Sequence, residues 1–339
     1  MQWNLKMKLG EDDDGRRLDR VLRKALKDIP LSAIHKALRK GDIRVDGKRR
    51  SPDYRCSKGE SLECRIVHTE AAPGEKSAVR SPSLGALDTP VYSGVFPPLD
   101  ILLEHSKLLF IAKPSGQLVH GAKDSLEAQV KDYLKDSLPA SLSFLPGPLH
   151  RLDRNSSGVL CFSKSLEGAT AFSKALKAGK IGKLYVALVE GRLEGSFRWD
   201  DTLTRDSNTH RTMVSSDPGL TTDKTSKPAS MDIETLAAEY SFSLVLIRLH
   251  TGRTHQIRAQ ASFHGYPLAG DIKYGAKNRH HRFFLHSLRL EFTTPLLEGL
   301  PTAVEAPLPK LFLEIIQKRF SLGAEEVYLK IRQSNLPGG

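Results

Sequence analysis

HRLDRNSSGVLCFSKS, residues His150–Ser165, holds a charged loop, a buried strand and the start of a helix in sixteen positions. Its first half places Asp153 between Arg151 and Arg154, ahead of the turn-forming run Asn155-Ser156-Ser157-Gly158. Val159–Phe162 is a continuous apolar run of strand length, and Ser165–Ala178 then takes up helical spacing. Outward from it, Leu108–Ala112, Tyr185–Val189 and Leu244–Leu249 repeat the strand-like run, with glycine-containing turns between the pieces. This alternation predicts an α+β domain around a mostly antiparallel mixed sheet, with flanking helices and a central cleft, spanning residues 99–325. Asp200–Thr235 is polar and poorly periodic, and reads as a long surface insertion.

The 339 residues suffice for one large domain plus a small one. The 39% hydrophobic and 27% charged fractions are those of a globular protein, and no run of about 18 apolar residues predicts a membrane span. MQWNLKMKLGEDDDG at the start has no continuous apolar segment and turns acidic, so no secretory leader is expected. Three cysteines (Cys56, Cys64, Cys161) supply neither a disulfide framework nor a zinc-ligand set, which fits a reducing cytoplasm.

The formal charge of +12 is unevenly spread. Gly15–Arg65 carries 16 Lys and Arg against 7 Asp and Glu, a net of +9. Such a block suits a polyanion, whose counterions are released as phosphates are neutralised, although a solubilising surface has the same composition. Arg16–Asp28 has helical periodicity. At about 100° per residue, Leu18, Val21, Leu22, Ala25 and Leu26 fall on one face and Arg20, Arg23, Lys24 and Lys27 on the opposite one. A second helix is expected to begin after Ser32 as N-cap and to end at Gly41, with Ile34 and Leu38 inward. Ile43-Arg44-Val45 alternates as a strand, and Asp46-Gly47 signals a tight turn. These elements form a compact module over residues 15–67. Residues 68–98, rich in Pro, Ser, Gly and Ala, read as a flexible linker.

Two further segments place Gly, His, Arg or Asp beside apolar strands: KPSGQLVHG (Lys113–Gly121) and RLHTGRTHQIRAQASFHGYPLAGDIKYG (Arg248–Gly275). Flanking cations are expected to hold Asp153 ionised, fit to act as nucleophile, base or metal ligand, or else as a structural salt bridge at a turn. At this point a resemblance becomes specific. HRLDRNSSGVLCFSKS closely resembles the signature around the catalytic aspartate of RluA-type pseudouridine synthases, with Ser156 where many members carry Thr. KPSGQLVHG resembles the family's first motif, KLYVALVEG (Lys183–Gly191) its tyrosine motif, and TGRTHQIRAQ with GYPLAGDIKYG its downstream motif. FLHSLRLEFTTP (Phe284–Pro295) resembles the closing strand, with Thr294 in place of the usual His. The matches fall in family order over most of residues 99–300. RLDRVL (Arg17–Leu22), LSAIHKALRKGDIRVDGK (Leu31–Lys48) and KGESLE (Lys58–Glu63) resemble the small αL RNA-binding domain of ribosomal proteins and RNA-modifying enzymes, with Ala33 where an Arg is common.

The resemblance implies an isomerase that cleaves the glycosidic bond of a uridine, turns the base and rejoins it through carbon. The nucleotide must first be extruded from the helix. It implies Asp153 as the essential carboxylate, Tyr185 stacking on the uracil, and Arg258 pairing with Asp153. From the residues alone, Tyr185 reads as a half-buried strand tyrosine, the commoner fate of Tyr in a strand, and a helix-surface position stays open for Arg258. Arg151 is expected to fill the space left by the flipped base or to contact phosphate, and Arg154 to contact RNA. In the basic module the candidates for RNA contact are Arg17, Arg20, Arg23, Lys24, Lys36, Arg39, Lys40, Arg44 and Lys48. Arg253 and His255 are expected to shape their loop or contact backbone. No redox cofactor, nucleotide or metal is demanded: H-E-x-x-H and the G-x-x-x-x-G-K-[ST] loop are both missing. The expected partner is structured RNA, large-subunit ribosomal or transfer RNA, with the chain a cytoplasmic monomer. The alternative is a catalytically silent RNA-binding or ribosome-assembly factor that keeps the synthase fold.

Overall fold

In the computed structural model, residues 5–26, 29–65, 98–138, 141, 144–206, 209, 211–216, 225–278 and 282–336 are described. The linker expected at 68–98 lies outside them except for Pro98, as do Lys27 and Asp28 of the first predicted helix. The chain divides into two compact units, residues 1–98 with 135–145, and residues 99–134 with 146–339.

In the first unit, strand β1 (Leu5–Lys8), helices α1 (Leu18–Ala25) and α2 (Leu31–Lys40), and strands β2 (Ile43–Val45) and β3 (Ser61–Cys64) follow in order. The predicted apolar face of α1 is the buried one: Leu18, Val21 and Leu22 pack with Ile34 and Leu38 of α2 and with Ile43, Val45 and Leu62. Helix α2 starts earlier than the sequence suggests. Pro30 occupies the N-cap, and Ser32 lies inside the first turn without a capping role. Gly41 closes the helix at φ 78°, donating its N–H back to Ala37 and Leu38. Strand β2 pairs with β3, and β1 adds to the other edge of β3, so the sheet reaches ahead of the expected start at residue 15.

The second unit holds one sheet with eleven strands among the described residues. Its elements are β4 (Ile101–Glu104), β5 (Leu108–Lys113), α3 (Leu126–Leu134), β6 (Gly147–Pro148), β7 (Ser157–Ser163), α4 (Leu166–Lys177), β8 (Ile181–Glu190), β9 (Ser196–Arg205) and β10 (Thr212–Ser215). They continue with β11 (Lys227–Ala238), β12 (Phe242–Leu249), α5 (Gln256–Phe263), β13 (Leu285–Phe292), β14 (Ala303–Glu305), α6 (Lys310–Phe320) and α7 (Ala324–Gln333). The strand order is β10-β9-β11-β12-β8-β13-β7-β5-β4, with β14 on β13 and β6 on β7. Every pairing is antiparallel except β13 with β7, where His286 meets Ser157 and Ser287 meets Gly158. The α+β class and the mostly antiparallel mixed sheet are as expected.

The predicted surface insertion at Asp200–Thr235 is corrected: β9, β10 and β11 extend the sheet. Its polarity misleads because Asp201 is buried and accepts from Gln260 of α5 at 2.7 Å, with His264 at 3.0 Å. Helix α7 also belongs to the domain beyond the expected end at 325, with Val327 and Ile331 in a core alongside Leu184, Val186, Leu246, Leu288, Phe312 and Ile316. Strand periodicity sends Leu184 and Val186 into that core and Tyr185 to the opposite face of the sheet.

Candidate active site

The seam between β7 and β13 places the loop that precedes β7. At Gly158, φ is 110°, and a Cβ would lie 2.1 Å from the carbonyl oxygen of Ser287, so only glycine lets the two backbones approach. Upstream, the loop is stapled to the turn after β5. The Lys113 ammonium, buried at the end of β5, donates to the carbonyls of Pro114 (2.9 Å), Arg154 (3.0 Å) and Ser156 (2.7 Å). Three acceptors saturate its three donors. Burial pulls Lys113 down to about 7, against the opposing pull of the Asp153 charge. Ser115 Oγ donates to Asn155 O at 2.7 Å, Gly116 N–H to Arg154 O at 2.8 Å, and Arg154 Nε back to Gly116 O at 3.0 Å. Asp153 is therefore presented by a loop with little freedom.

Helix α5 supplies the opposing wall. The turn before it is clamped by Gln256, which accepts from Thr251 Oγ1 and Arg253 N–H and donates to Ser230 O of β11. Arg258, only 7% exposed, is not a helix-surface residue. Its Nη1 donates to Asp153 Oδ2 at 3.0 Å, while Nε and Nη2 reach Asp271 Oδ2 and Oδ1 at 2.6 and 2.8 Å. The guanidinium lies 4.9 Å from the Tyr274 ring centre and 4.4 Å from that of Phe283. Burial opposes its charge, but the bonds and charges of Asp271 and then Asp153 more than offset this, so its pKa is raised.

Arg151, Asp153, Tyr185, Arg253, His255 and Arg258 line one cleft of about 60 Å³. The structure thus brings together all three expected catalytic residues and Arg151, which is exposed at the same cleft. Tyr185 is 5% exposed, and burial pushes its hydroxyl up to about 12, with the Asp153 charge adding to the rise and Ser287 opposing it. It therefore rests as a phenol. Arg154 is exposed but tied to Gly116.

In the first unit, Arg20, Arg23, Lys24, Lys36, Arg39, Lys40 and Lys48 are exposed. Arg17 is half-buried and paired with Asp19, and Arg44 is half-buried over the carbonyls of Gly41 and Gly47. Sequence reasoning missed Asp271, Lys113 and Tyr274 and undervalued His255. GDIKYG and KPSG hold the missed residues, but nothing local marks Asp271 as the buried partner of Arg258 or Lys113 as the buried staple of the Asp153 loop.

The family model for RNA pseudouridylate synthase matches residues 107–263, and that for the S4 domain matches residues 16–62. Ribosomal large subunit pseudouridine synthase C of Escherichia coli (strain K12) is 32% identical over 319 residues, 91% of this chain and 94% of that protein. The protein of the same name from Buchnera aphidicola subsp. Schizaphis graminum (strain Sg) is 32% identical over 318 residues, covering 90% and 94%. This chain belongs to the RNA pseudouridylate synthase family. As a pseudouridine synthase it is an isomerase that converts uridine in RNA to pseudouridine, with an N-terminal S4 RNA-binding domain. Its fold is shared with two human structures. Human RNA Pseudouridylate Synthase Domain Containing 4 has a TM-score of 0.56 at 21% identity, over 66% of this chain and 94% of that one. Human RNA Pseudouridylate Synthase Domain Containing 1 has 0.54 at 24%, over 71% and 97%. No helix of this synthase, among the described residues, is long and apolar enough to cross a membrane.

Proposed function

We propose that this synthase acts on large-subunit ribosomal RNA, as a cytoplasmic monomer, with Asp153 as the essential carboxylate. The name carried by its relatives, each matched over most of its length, supports the target. One observation carries the assignment of Asp153: its carboxylate and the Arg258 guanidinium meet at 3.0 Å in the cleft that Tyr185 also lines. In the reaction the C1′–N1 bond breaks, C1′–C5 forms, the C5 proton leaves and N1 gains one. A carboxylate serves whether it attacks covalently or removes a sugar proton, and the bond from Arg258 orients it. Tyr185, a neutral phenol on the floor of the cleft, is suited to stack on the extruded uracil. Arg151 at the rim fills the gap in the RNA, since a planar guanidinium both stacks and hydrogen-bonds. The exposed cations of α1 and α2 hold RNA phosphates.

The test is tritium release from C5-labelled uridine, with ribosomal RNA and transfer RNA from cells lacking the gene as separate substrates. Wild type is expected to release label from the large-subunit RNA, and Asp153→Asn to release none. Release that persists in the variant removes Asp153 from its role, and release confined to transfer RNA overturns the target. Replacing Arg20, Arg23, Arg39 and Lys40 together by Gln is expected to weaken RNA binding and flatten its salt dependence by a slope of about 3 to 4, leaving turnover of bound RNA intact.

A further inference from the structure

Asp153 has two carboxylate oxygens, and Arg258 holds only Oδ2. With one partner the group can still turn about its terminal bond, a torsion that is broad for Asp. Oδ1 faces His255, whose Nε2 lies 3.8 Å away. His255 sits just ahead of α5 at φ 55° and ψ 24°, a left-handed conformation unfavourable for a side chain of this size. Such a conformation persists only when its surroundings enforce it, and here they do. Nδ1 meets the Tyr274 hydroxyl at 2.9 Å, and the two rings lie edge to face at 5.7 Å. That hydroxyl accepts the backbone N–H of Thr212 at 3.0 Å, and Thr212 Oγ1 donates to the carbonyl of Thr254 at 2.9 Å. One residue of β10 thus grips both the peptide ahead of His255 and the tyrosine that meets its ring.

The proton positions follow from this set of partners. Tyr274 Oη accepts from Thr212, and Nδ1 at 2.9 Å is the acceptor within reach of its own proton when the ring is the Nε2–H tautomer. Burial, with the charges of Arg258 and Lys273 adding to it, pushes His255 down to about 4 against the Asp153 charge, so the ring carries a single proton at neutral pH. With Nδ1 accepting, that proton resides on Nε2, facing Asp153 Oδ1.

We propose that His255 is a positioning residue for Asp153: Tyr274 and Thr212 hold it as the Nε2–H tautomer, and it donates to Oδ1 when RNA closes the cleft. The proposal rests on the reading of Asp153 as the reacting carboxylate. Closure requires a shift of about 0.8 Å, from 3.8 Å to an ordinary hydrogen-bond length. Contacts of this kind are commonly long before substrate binds and tighten in its presence. With Arg258 on one oxygen and His255 on the other, the carboxylate plane is fixed once the RNA is bound. Loss of that orientation lowers the rate of the bound complex rather than its affinity. It also assigns a purpose to β10, which sits at the far edge of the sheet.

The test pairs ¹⁵N NMR of the His255 ring with single-turnover rates on one RNA, in the full chain. Wild type is expected to show the Nε2–H tautomer, and Tyr274→Phe a mixture of both. His255→Leu is expected to slow the bound complex by ~10- to 100-fold, the worth of a hydrogen bond to a charged group, with RNA affinity unchanged. His255→Gln, whose amide can accept from Tyr274 and donate to Asp153, is expected to recover the rate to within about threefold of wild type, less than one ordinary hydrogen bond is worth. An Nδ1–H tautomer in wild type overturns the proposal, whatever the activity. So does a His255→Leu protein that reacts at the wild-type rate, or whose defect is wholly in RNA affinity. Should His255→Leu fail to fold, the wild-type tautomer and the His255→Gln rate decide. A wild type with no pseudouridine formation would defeat the functional reading instead, and the NMR result would still stand alone.

Discussion

Arg258→Met separates the two roles of one guanidinium. Asp271, 2% exposed, receives two charge-assisted bonds from Arg258 at 2.6 and 2.8 Å, whereas Asp153 receives one at 3.0 Å. Removing Arg258 leaves the Asp271 carboxylate buried and without that charge partner, which costs about 3–5 kcal/mol when half of such a pair is deleted. At roughly 2–4 °C per kcal/mol for a domain of this size, the melting temperature is expected to fall by about 10 °C. Adding Asp271→Asn removes the stranded charge, and more than half of the lost stability should return. Activity should not return, because Asp153 still lacks its partner in both proteins. Thermal melts followed by circular dichroism, beside single-turnover tritium release, read the two effects separately. A single variant that melts within about 2 °C of wild type, under one kcal/mol, would refute the reasoning. So would a double variant no more stable than the single one.

Gly158→Ala should destabilise the synthase domain by at least about 3 kcal/mol, since φ 110° strains any L side chain and the new methyl meets the Ser287 backbone. A urea midpoint equal to wild type would show that the seam can spread. His286, buried between Ser157 Oγ at 2.9 Å and Ala306 O at 3.1 Å, is pushed from 6.5 down to about 4, chiefly by burial. The unfolded chain therefore takes up this proton first. The stabilisation is complete above about pH 6.5 and is lost as pH falls toward 4, at most about 3 kcal/mol. His286→Gln should flatten the dependence of stability on pH in that window, and an unchanged slope would assign the acid sensitivity elsewhere.

The sequence is legible where a residue's environment is set by its near neighbours. The face of α1, the stop at Gly41 and the strand at Ile43–Val45 follow from periodicity and turn chemistry, because solvent and one core decide them. Helix α5 defeats that logic. Gln256, Arg258 and Gln260 are buried alongside Ile257, Ala259 and Ala261, so no polar face marks which side meets water. Their partners are distant in the chain: Ser230, Asp153 and Asp201. The same pairing hid β9, where Asp201 points inward toward α5. At α2, Pro30 fixes the backbone two residues before the serine that seemed suited to cap it. Motif order located Asp153, Tyr185 and Arg258, but the contacts that hold them required the fold.

The junction between β7 and β13, the one parallel pairing among the described residues, also sets a timetable. Ser157 and His286 are 129 positions apart, and Asp153 and Arg258 are 105 apart. Synthesis runs from the amino terminus, so a ribosome that has released only the first 250 residues displays the aspartate loop with neither its arginine nor its supporting strand. Closing loops of that length is a late, entropically costly event. The Asp153–Arg258 pair and the β7–β13 junction therefore cannot form until most of the domain has emerged.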